Sequence, residues 1–466
     1  MAQFLISAAH KSSGKTTLSI GLCAAFHQRG MSVQPFKKGP DYIDPMWLTR
    51  AAGRDCHNLD FQTMGNREII NTFGQRSEDS DLSIIEGNKG LYDGLDLDGS
   101  NSNAALASLL HSPVILVIDA QGMTRGIAPL ILGYQAFDTD LNIAGVILNQ
   151  LGGHRHEAKL RAVIEHYTDV PVIGAVQRNP ALKIQERHLG LIPSNEAAQV
   201  EKQIEQMAHI IADQVDLDAL QTIASSAPPV AYSVAHSFPA PKPDVRIGIA
   251  RDAAFGFYYP GDLEAFKQAG AELVSIDTLH DRNLPAIDGL FIGGGFPESQ
   301  MQALEANQSL RSKIKAAIKD GLPVYAECGG LMYLTRSLQW KDQHCEMVGA
   351  LPADTVMHMR PQGRGYVHLA ETAQLPWPGT PRADVHAHEF HYSALENLPD
   401  KLQFAYRVRR GTGIDGQHDG MIYGNVLACY SHLRDVEKNR WVGRFVAFVR
   451  DCRHRLNSSQ HQQKMG

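Results

Sequence analysis

The sequence AHKSSGKTT occupies residues 9–17 and follows a short apolar run, Phe4–Ser7, that predicts a first buried strand. A helical pattern, Thr16–Arg29, follows the loop at once. In a strand–loop–helix unit of this kind, backbone N–H groups and the helix N-terminus favour phosphate oxygens. The segment therefore predicts a phosphate-binding loop in which Lys15 reaches the terminal phosphates of a nucleotide and the Thr16 hydroxyl binds Mg²⁺.

The predicted nucleotide contacts within this loop are Gly14, Lys15, Thr16 and Thr17. Ala9 stands where a P-loop usually has its first glycine, and an alanine is tolerable there if it keeps a negative φ. The alternative is a chance SGKT in a helix cap, which the strand–loop–helix context disfavours. A P-loop specifies a nucleotide without naming a reaction.

Apolar runs and amphipathic stretches alternate outward from this loop through residues 1–220. The strand candidates are rich in Val, Ile and Leu: Phe4–Ser7, Ser32–Pro35, Leu82–Glu86, Val114–Asp119, Ala144–Asn149 and Val172–Val176. With helical stretches such as Lys159–Tyr167 between them, they indicate a parallel sheet covered on both faces. The segment Ser225–Pro243 carries five prolines and almost no charge, which is typical of a linker.

The βα rhythm restarts after this linker. The later elements expected are strands and one helix: Val245–Ala250, Leu273–Ile276, Gly289–Ile292, helix Leu304–Asp320, Pro323–Ala326, Val367–Leu369 and Phe404–Val408. The fold class is therefore α/β in both halves. We expect a P-loop domain at 1–224, a linker at 225–243, a second α/β domain at 244–455 and a disordered tail at 456–466.

Composition limits the function classes that remain. The 466 residues are 43% hydrophobic and carry a formal net charge of −6, which argues against nucleic-acid binding through bulk electrostatics. No stretch approaches the roughly 18–20 apolar residues of a membrane helix, and the N-terminus lacks the features of a signal peptide. Six scattered cysteines without a CxxC pair favour a reduced cytoplasmic enzyme over a disulfide scaffold or structural zinc site.

Acidic residues follow two strands near the phosphate loop. The first segment is FKKGPDYIDP at 36–45, with Lys38, Asp41 and Asp44, and the second is EGNKGLYDG at 86–94, which begins with Glu86. Because Mg²⁺ prefers carboxylates with phosphate oxygens, Thr16, Asp41 and Glu86 are predicted metal ligands. Taken singly, each acid fits a solvated turn equally well.

Two weaker signals lie in the same half. Asn149 ends a strand candidate, and its side chain is a candidate to hydrogen-bond a purine base. A strand-end Asn is also a common turn residue. His188, in RHLGL at 187–191, is a candidate to face substrate, although a lone histidine is more often structural.

The second half contains a candidate nucleophile, Cys328, in YAECGGL at 325–331. A buried strand turning sharply into a helix places its sulfur at a helix N-terminus, which is expected to lower its pKa. The Gly329 N–H is a predicted oxyanion donor, as are the N–H groups of a second glycine loop containing Gly294 and Gly295. His432, at the end of a strand, is the expected base. The alternative is a buried structural cysteine with a core histidine.

With these motifs in hand, the chain resembles the cobyrinic acid a,c-diamide synthase family over nearly its whole length. The motifs that carry the resemblance are the P-loop, GPDYIDP (39–45), EGNKGLYDG (86–94), RHLGL (187–191), GGGFPE (293–298), AECGGLMYL (326–334), GRGY (363–366), HEFHYS (388–393) and GNVLACYSH (424–432). The resemblance implies a dethiobiotin-synthetase-like P-loop domain followed by a class I (triad) glutamine amidotransferase domain.

The resemblance also implies a ligase reaction. ATP would phosphorylate an acetate carboxylate of a corrin-like ring, and ammonia from glutamine would displace phosphate, first at one acetate and then at a second. Asp41, Asp44, Glu86 and Asp93 would lie at the phosphoryl-transfer site. Cys328 and His432 would hydrolyse glutamine through a thioester.

Two departures from the wider amidotransferase class are visible. A glutamate usually lies two residues after the histidine, and Arg434 stands there instead, as in the diamide-synthase branch. The missing member predicts a poorly oriented imidazole and slow glutaminase turnover. Ala387 replaces a commoner glycine, and His386, His388 and His391 are expected to contact substrate carboxylates in preference to a metal.

The expected cofactors are ATP and Mg²⁺, and the expected partners are glutamine, an anionic tetrapyrrole and a second copy in a homodimer, without nucleic acid or membrane. Two alternatives stay open. The first is the same amidation on sirohaem or a sirohydrochlorin. The second is a non-catalytic P-loop regulatory ATPase, which would not need Cys328 and would normally carry lysine in place of His10.

Overall fold

The computed structural model describes residues 1–187, 190–196, 199–233 and 239–465. They form two compact units, 1–236 and 237–466, whose division falls inside the proline-rich 225–243 segment. His188 lies outside the described residues. Among the described residues, no helix combines the length and apolar character that crossing a membrane demands.

A parallel sheet forms the centre of the first unit. Its strands are β1 (Ala2–Ala8), β2 (Val33–Lys38), β3 (His57–Leu59), β4 (Leu82–Glu86), β5 (Val114–Asp119), β6 (Ile143–Leu151) and β7 (Val172–Gln177). They lie in the order β3-β2-β4-β1-β5-β6-β7, and each neighbouring pair is parallel. The sequence analysis missed β3, because its three residues include a histidine and an asparagine and form no apolar run. Strands β8 (Glu186–Arg187) and β9 (Gly190–Leu191) form a separate antiparallel pair.

Helices lie between these strands. They are α1 (Lys15–Gln28), α2 (Ile43–Ala52), α3 (Asn66–Ser77), α4 (Asn103–Leu109), α5 (Ile127–Phe137), α6 (His154–Tyr167), α7 (Val200–Gln214) and α8 (Leu217–Ser225), with a 3₁₀ turn at Pro180–Leu182. One face of the sheet, with Phe4 and Ile6 of β1, packs against α1, α2, α7 and α8. Because successive side chains of a strand point to opposite faces of the sheet, Leu5, which is equally buried, lies on the other face.

The strands of the second unit are β10 (Val245–Ala250), β11 (Phe255–Phe257), β12 (Ala271–Ile276), β13 (Gly289–Ile292), β14 (Gly294–Gly295), β15 (Val324–Glu327), β16 (Ser337–Trp340), β17 (Gln343–Glu346), β18 (Asp354–Met357), β19 (Gly363–Glu371), β20 (Val385–His391), β21 (Ser393–Glu396), β22 (Gln403–Arg410), β23 (His418–Tyr423) and β24 (Val426–Cys429). Nine of them form a mixed sheet in the order β12-β10-β13-β15-β24-β23-β22-β19-β20. The five strands from β12 to β24 are parallel, and the rest of this sheet is antiparallel.

The helices of the second unit are α9 (Pro260–Gln268), α10 (Met301–Ala306), α11 (Gln308–Lys319), α12 (Gly329–Leu334) and α13 (Trp441–Met465), with a 3₁₀ turn at Pro297–Ser299. The single helix expected at Leu304–Asp320 is therefore two helices that meet at Asn307. The Asn307 amide is buried and donates to the carbonyls of Thr278 and Asp281, at 2.8 Å each, which fixes the interruption. The backbone of α13 continues to Met465, through most of the 456–466 segment for which disorder was expected.

Candidate active sites

The phosphate loop joins the end of β1 to the start of α1. Gly14 takes a left-handed φ of +87° immediately before the helix. Ala9 is not among the residues with positive φ, so the condition for an alanine at this place is met. The loop backbone therefore ends at the N-terminus of a largely buried helix, where the dipole and free N–H groups favour an anion.

Asn149, at the carboxyl end of β6, packs directly on this loop. Its Nδ2 donates to the carbonyl of Ser13 at 2.9 Å, and a Cβ at Gly14 would lie 2.2 Å from the same nitrogen. The close approach is a second reason why only glycine fits at this position. The structure thus places the Asn149 amide against the loop, and its contact with a purine base stays a prediction.

Lys37 lies among the carboxylates that the sequence analysis singled out. Its Nζ is 2.5 Å from Asp44 Oδ2, 2.9 Å from Glu86 Oε1 and 3.9 Å from Asp41 Oδ2. The Thr16 hydroxyl lies 2.7 Å from Glu86 Oε1 and 3.2 Å from Asp44 Oδ2. Four predicted residues therefore meet at one place, and the sequence analysis had not identified Lys37 as the counter-ion that they share.

The charge balance of this cluster fits a divalent cation. Three carboxylates face one ammonium, and burial raises the pKa of Glu86 and of Asp41, with the charge of Asp44 acting in the same direction. Within the described part of the chain, the buried Glu86 Oε2 has no hydrogen-bond partner. Carboxylate and hydroxyl oxygens are suitable Mg²⁺ ligands, so the donor set agrees with the predicted metal residues Thr16, Asp41 and Glu86.

Two further lysines in the same region have lowered pKa values. Burial lowers the pKa of Lys15 and of Lys38 to about 8 in each case. Lys15 Nζ donates to the carbonyl of Lys89 at 2.6 Å, and Lys38 Nζ donates to Asn88 Oδ1 at 3.2 Å. Both ammonium groups are thus directed toward the 88–89 loop, and an anionic ligand there would favour their charged forms.

Asp93 has a local contact in the structure, because its Oδ2 accepts the Gly90 N–H at 2.9 Å and closes a turn. Its role in phosphoryl transfer stays a prediction. The side chain of Asn103 makes hydrogen bonds to the same loop. It donates to the carbonyl of Gly90 at 2.8 Å and accepts the Asn88 N–H at 3.1 Å. Sequence reasoning missed Asn103; an Asn at the start of an otherwise apolar helix was the available signal.

Cys328 occupies a strained turn between β15 and α12. Its φ is +47° and its ψ is −101°, which is unusual for a residue with a side chain. Its N–H donates to the carbonyl of Cys429 on β24 at 2.7 Å, which fixes the turn to the neighbouring parallel strand. This is the geometry of a nucleophile elbow.

The expected low pKa of this thiol is wrong. Burial and the carboxylate of Glu298 raise the pKa of Cys328, and the Gly329 N–H, which lowers it, does not compensate. The helix that follows has only six residues and Cys328 is 7% exposed, so desolvation outweighs the helix terminus.

The glycine loop after β13 allows other groups to approach closely. A Cβ at Gly294 would lie 2.5 Å from Cε1 of His432, so this position admits the imidazole. A Cβ at Gly295 would lie 2.0 Å from the carbonyl of Ala254, and one at Gly329 would lie 3.0 Å from the Gly295 nitrogen. The predicted oxyanion residues are thus neighbours of the elbow and of the base, and their donation to an oxyanion stays a prediction.

His432 lies beyond the end of β24, at the same sheet edge as Cys328. Its Nδ1 is 3.4 Å from Oε2 of Glu327, the residue before the nucleophile. On its other side its ring stacks on His388, with 4.9 Å between centroids and 16° between planes. Two groups and the close backbone of Gly294 therefore surround the imidazole, and its poor orientation and slow glutaminase turnover stay predictions.

Arg434 lies where other triad amidotransferases have a glutamate, and it makes a different contact. Its guanidinium lies 5.0 Å from the centre of the Tyr259 ring. The Tyr259 hydroxyl is 3.4 Å from Nδ1 of His388. Burial, together with the charges of His432 and Arg434, lowers the pKa of His388 well below its usual value, so His388 is neutral at physiological pH.

The three histidines of β20 are held in three different environments. His388 stacks on His432, and His391 stacks on Tyr430 with 3.8 Å between ring centroids. His386 instead meets His368 of β19, directly opposite it, with Asp384 Oδ2 2.9 Å from His386 Nε2. Among the described residues these three do not share one ligand set, and their contact with substrate carboxylates stays a prediction.

In the second unit, sequence reasoning missed Glu327 and Asp419. Asp419 accepts the N–H groups of Tyr430 at 3.0 Å and Ser431 at 2.9 Å and so holds the turn before His432. Both acids are almost fully buried, at 2% and 0% exposure. The available signal for Glu327 was an acidic residue ending the otherwise uncharged strand VYAE, since buried carboxylates are rare unless paired.

Fold and sites together define a class of protein: a P-loop nucleotide-binding unit is joined in one chain to a unit with a buried cysteine and a buried histidine at one sheet edge. The domain family described as "CobQ/CobB/MinD/ParA nucleotide binding domain" matches residues 5–192. The family described as "CobB/CobQ-like glutamine amidotransferase domain" matches residues 246–439. The two matches place the P-loop and Cys328 in separate domain families.

Relatives that match over nearly their whole length identify the family. The chain belongs to the cobyrinate a,c-diamide synthase family. A relative of that name from Magnetococcus marinus is 44% identical, over 96% of this chain and 97% of its own. One from Methanosarcina acetivorans is 42% identical, over 95% and 94%. One from Archaeoglobus fulgidus is 41% identical, over 93% and 94%.

Part of the chain resembles solved structures. PurLQS from Thermotoga maritima matches 45% of this chain and 98% of that one, at 16% identity and a TM-score of 0.35. A score at this level supports no argument about function.

Proposed function

We propose that this chain forms two amides on a tetrapyrrole, at the a and c acetate carboxylates of cobyrinate, with ATP as the energy source and glutamine as the nitrogen donor. The observation that carries the proposal is the presence in one chain of two candidate sites. One is a P-loop with a carboxylate cluster around Lys37, and the other is the Cys328 elbow with His432. The names of the full-length relatives supply the substrate.

The first unit would activate the acetate. A carboxylate oxygen of the substrate attacks the γ-phosphorus of ATP, the bond to the bridging oxygen breaks, and ADP leaves with an acyl phosphate formed. Lys15 and the loop N–H groups would hold the phosphates. Thr16, Asp41 and Glu86 would hold Mg²⁺, which would screen the phosphate charge, and the Lys37 ammonium pairs with both carboxylates.

The second unit would supply ammonia. The Cys328 sulfur attacks the side-chain amide carbon of glutamine while its proton passes to His432, and the imidazolium then protonates the departing nitrogen. Water hydrolyses the resulting thioester to glutamate. Ammonia displaces phosphate from the acyl carbon, which completes the amide. The raised pKa of Cys328 supports general-base activation at the moment of attack over a standing thiolate.

A substrate panel tests the proposal. Purified protein with ATP, Mg²⁺ and glutamine is given cobyrinate, hydrogenobyrinate or sirohaem, and products are measured by the mass change per amide. We expect two amides on cobyrinate. Turnover of sirohaem alone would overturn the assignment, and ATP hydrolysis without an amide product would favour the regulatory ATPase.

We also propose a homodimer in a reducing compartment. All six cysteines are free thiols and buried, which agrees with reducing conditions. The first unit carries exposed apolar side chains on α5, with Phe137 76% and Leu132 43% exposed. Light scattering of the purified chain checks the assembly: twice the mass of one chain is expected, and the mass of a single chain would contradict it.

A further inference from the structure

The residue before the nucleophile has a carboxylate that faces the base. We propose that Glu327 is the positioning residue of the Cys328–His432 pair and does the work of the glutamate that Arg434 replaces. The inference rests on the proposed glutaminase function and adds a third member to its machinery. It comes from the 3.4 Å separation of Glu327 Oε2 from His432 Nδ1.

Strand register brings the two residues together. Strands β15 and β24 are parallel neighbours, with Glu327 opposite Cys429. Three residues after that partner the chain reaches His432, so the carboxyl ends of both strands open at one edge of the sheet. A carboxylate on β15 can therefore replace one that follows the histidine in sequence.

Hydrogen bonds fix the direction of this carboxylate. Its Oε1 accepts the Tyr325 hydroxyl at 2.6 Å and the Leu433 N–H at 2.9 Å, which leaves Oε2 directed toward His432. Burial and the Glu327 charge raise the pKa of Tyr325 well above its usual value, so its hydroxyl stays a donor. Glu327 is also buried, so bulk water does not screen its interaction with the imidazole.

The chemistry requires such a partner. When His432 takes the Cys328 proton, it becomes an imidazolium in a site that is almost closed to water. An ionised carboxylate at Nδ1 stabilises that charge and holds the ring with its other nitrogen available to the sulfur. In this role Glu327 positions the imidazole, and no atom is transferred to it.

A purely structural role is the competing explanation, since Glu327 also anchors the Leu433 N–H. The substitution Glu327→Gln separates the two. The amide oxygen of Gln can still accept from Tyr325 and Leu433, whereas the negative charge facing His432 is removed. Glu327→Asp keeps the carboxylate but shortens the side chain by one methylene, which moves the charge away from His432. Tyr325→Phe removes the hydroxyl that donates to Glu327 and leaves the carboxylate in place.

The test compares these variants with glutamine and with ammonium as nitrogen donor. We expect E327Q to lower the glutamine-dependent kcat by about 100-fold or more, with KM for glutamine and the ammonium-dependent rate nearly unchanged. E327D should recover part of the loss, and Y325F should cost no more than about threefold. Wild-type kcat with glutamine in E327Q would overturn the proposal.

Cys328→Ser, assayed in parallel, separates this outcome from a failure of the proposed function. If C328S keeps glutamine-dependent amidation, the glutaminase itself is misassigned. If C328S loses it while E327Q keeps it, only the role of Glu327 is wrong. Equal loss of ammonium-dependent activity in E327Q would also count against positioning, because it would indicate a general structural defect.

Discussion

The two candidate sites keep reactive groups at the carboxyl ends of parallel strands, but they are stabilised differently. At the phosphate loop, ion pairs dominate: Lys37 contacts three carboxylates contributed by α2, by β4 and by the turn between β2 and α2. At the cysteine, close packing dominates, since Cys328 is strained and Gly294 leaves room for His432. The first site depends on the ion pairs of Lys37, and the second depends on Gly294, which has no side chain to displace His432.

This difference determines what each site tolerates. Removing a charge from the first site leaves others buried without compensation, and the loss affects folding as well as chemistry. Adding a single methyl group to the second site displaces the base with little change in charge. We therefore expect the loss of a charge to be the damaging change in the first unit and the gain of a methyl group to be the damaging change in the second.

Lys37→Met should have the largest effect. It leaves Asp41, Asp44 and Glu86 without their shared ammonium, and we expect a loss of about 3–5 kcal/mol in the free energy of unfolding and of nearly all amidation with either nitrogen donor. Denaturant unfolding of the full chain measures the stability. The deficit should shrink as pH falls, because protonation of the carboxylates relieves their repulsion.

A matched control for Lys37→Met is Arg29→Met, which breaks the exposed pair with Asp218. That change should cost less than about 1 kcal/mol. Similar stability of the two variants would show that the Lys37 cluster is not a compensated buried network.

Gly294→Ala should have the next largest effect. The new methyl group would lie 2.5 Å from the His432 ring, and we expect glutamine-dependent amidation to fall about 100-fold while ammonium-dependent amidation persists. Gly261→Ala is the control, because a Cβ there meets nothing within 4 Å. Full glutamine use in G294A would contradict the assigned position of the imidazole.

Nucleotide binding should take up protons near pH 8. Burial lowers the pKa of Lys15 and of Lys38 to about 8, so both are partly neutral there, and bound phosphate favours their charged forms. Affinity should accordingly fall as pH rises through this range. Calorimetry in buffers of different ionisation enthalpy measures the uptake, which should decrease in Lys15→Met; binding without proton uptake at pH 8 would refute the assignment.

Asn149→Ala should have the smallest effect. Loss of its hydrogen bond to the Ser13 carbonyl should weaken ATP binding by roughly 0.5–1.5 kcal/mol. Since the structure places the amide against the loop, the loss should be equal for adenine and guanine nucleotides. A loss confined to one base, in equilibrium titrations, would instead support the predicted purine contact.

The sequence determined much of the first site because its residues lie next to strand ends. Asp41, Asp44 and Glu86 each follow or end an apolar strand, and parallel strands end at one edge. That the carboxylates share Lys37 was harder to predict, because Lys37 and Lys38 are adjacent in sequence. The two lysines differ only in that successive side chains of β2 point to opposite faces of the sheet.

The second site was less predictable. Glycines around Cys328 identified the elbow, but the raised pKa of the thiol depends on burial in the folded unit. The Glu327–His432 contact joins residues 105 positions apart, and no local pattern encodes it. Short elements such as β3 and the break at Asn307 were likewise fixed by tertiary contacts and not by local propensity.

The central claim is that nitrogen from the glutamine amide, released at Cys328, reaches the carboxylates of cobyrinate. Wild-type protein and Cys328→Ser, each given ATP, Mg²⁺, cobyrinate, amide-¹⁵N glutamine and excess unlabelled ammonium, provide the most direct measurement. We expect ¹⁵N in both new amides with the wild-type protein and only unlabelled amides with C328S. Equal label in the two products, or unlabelled amides from the wild-type protein, would contradict the account.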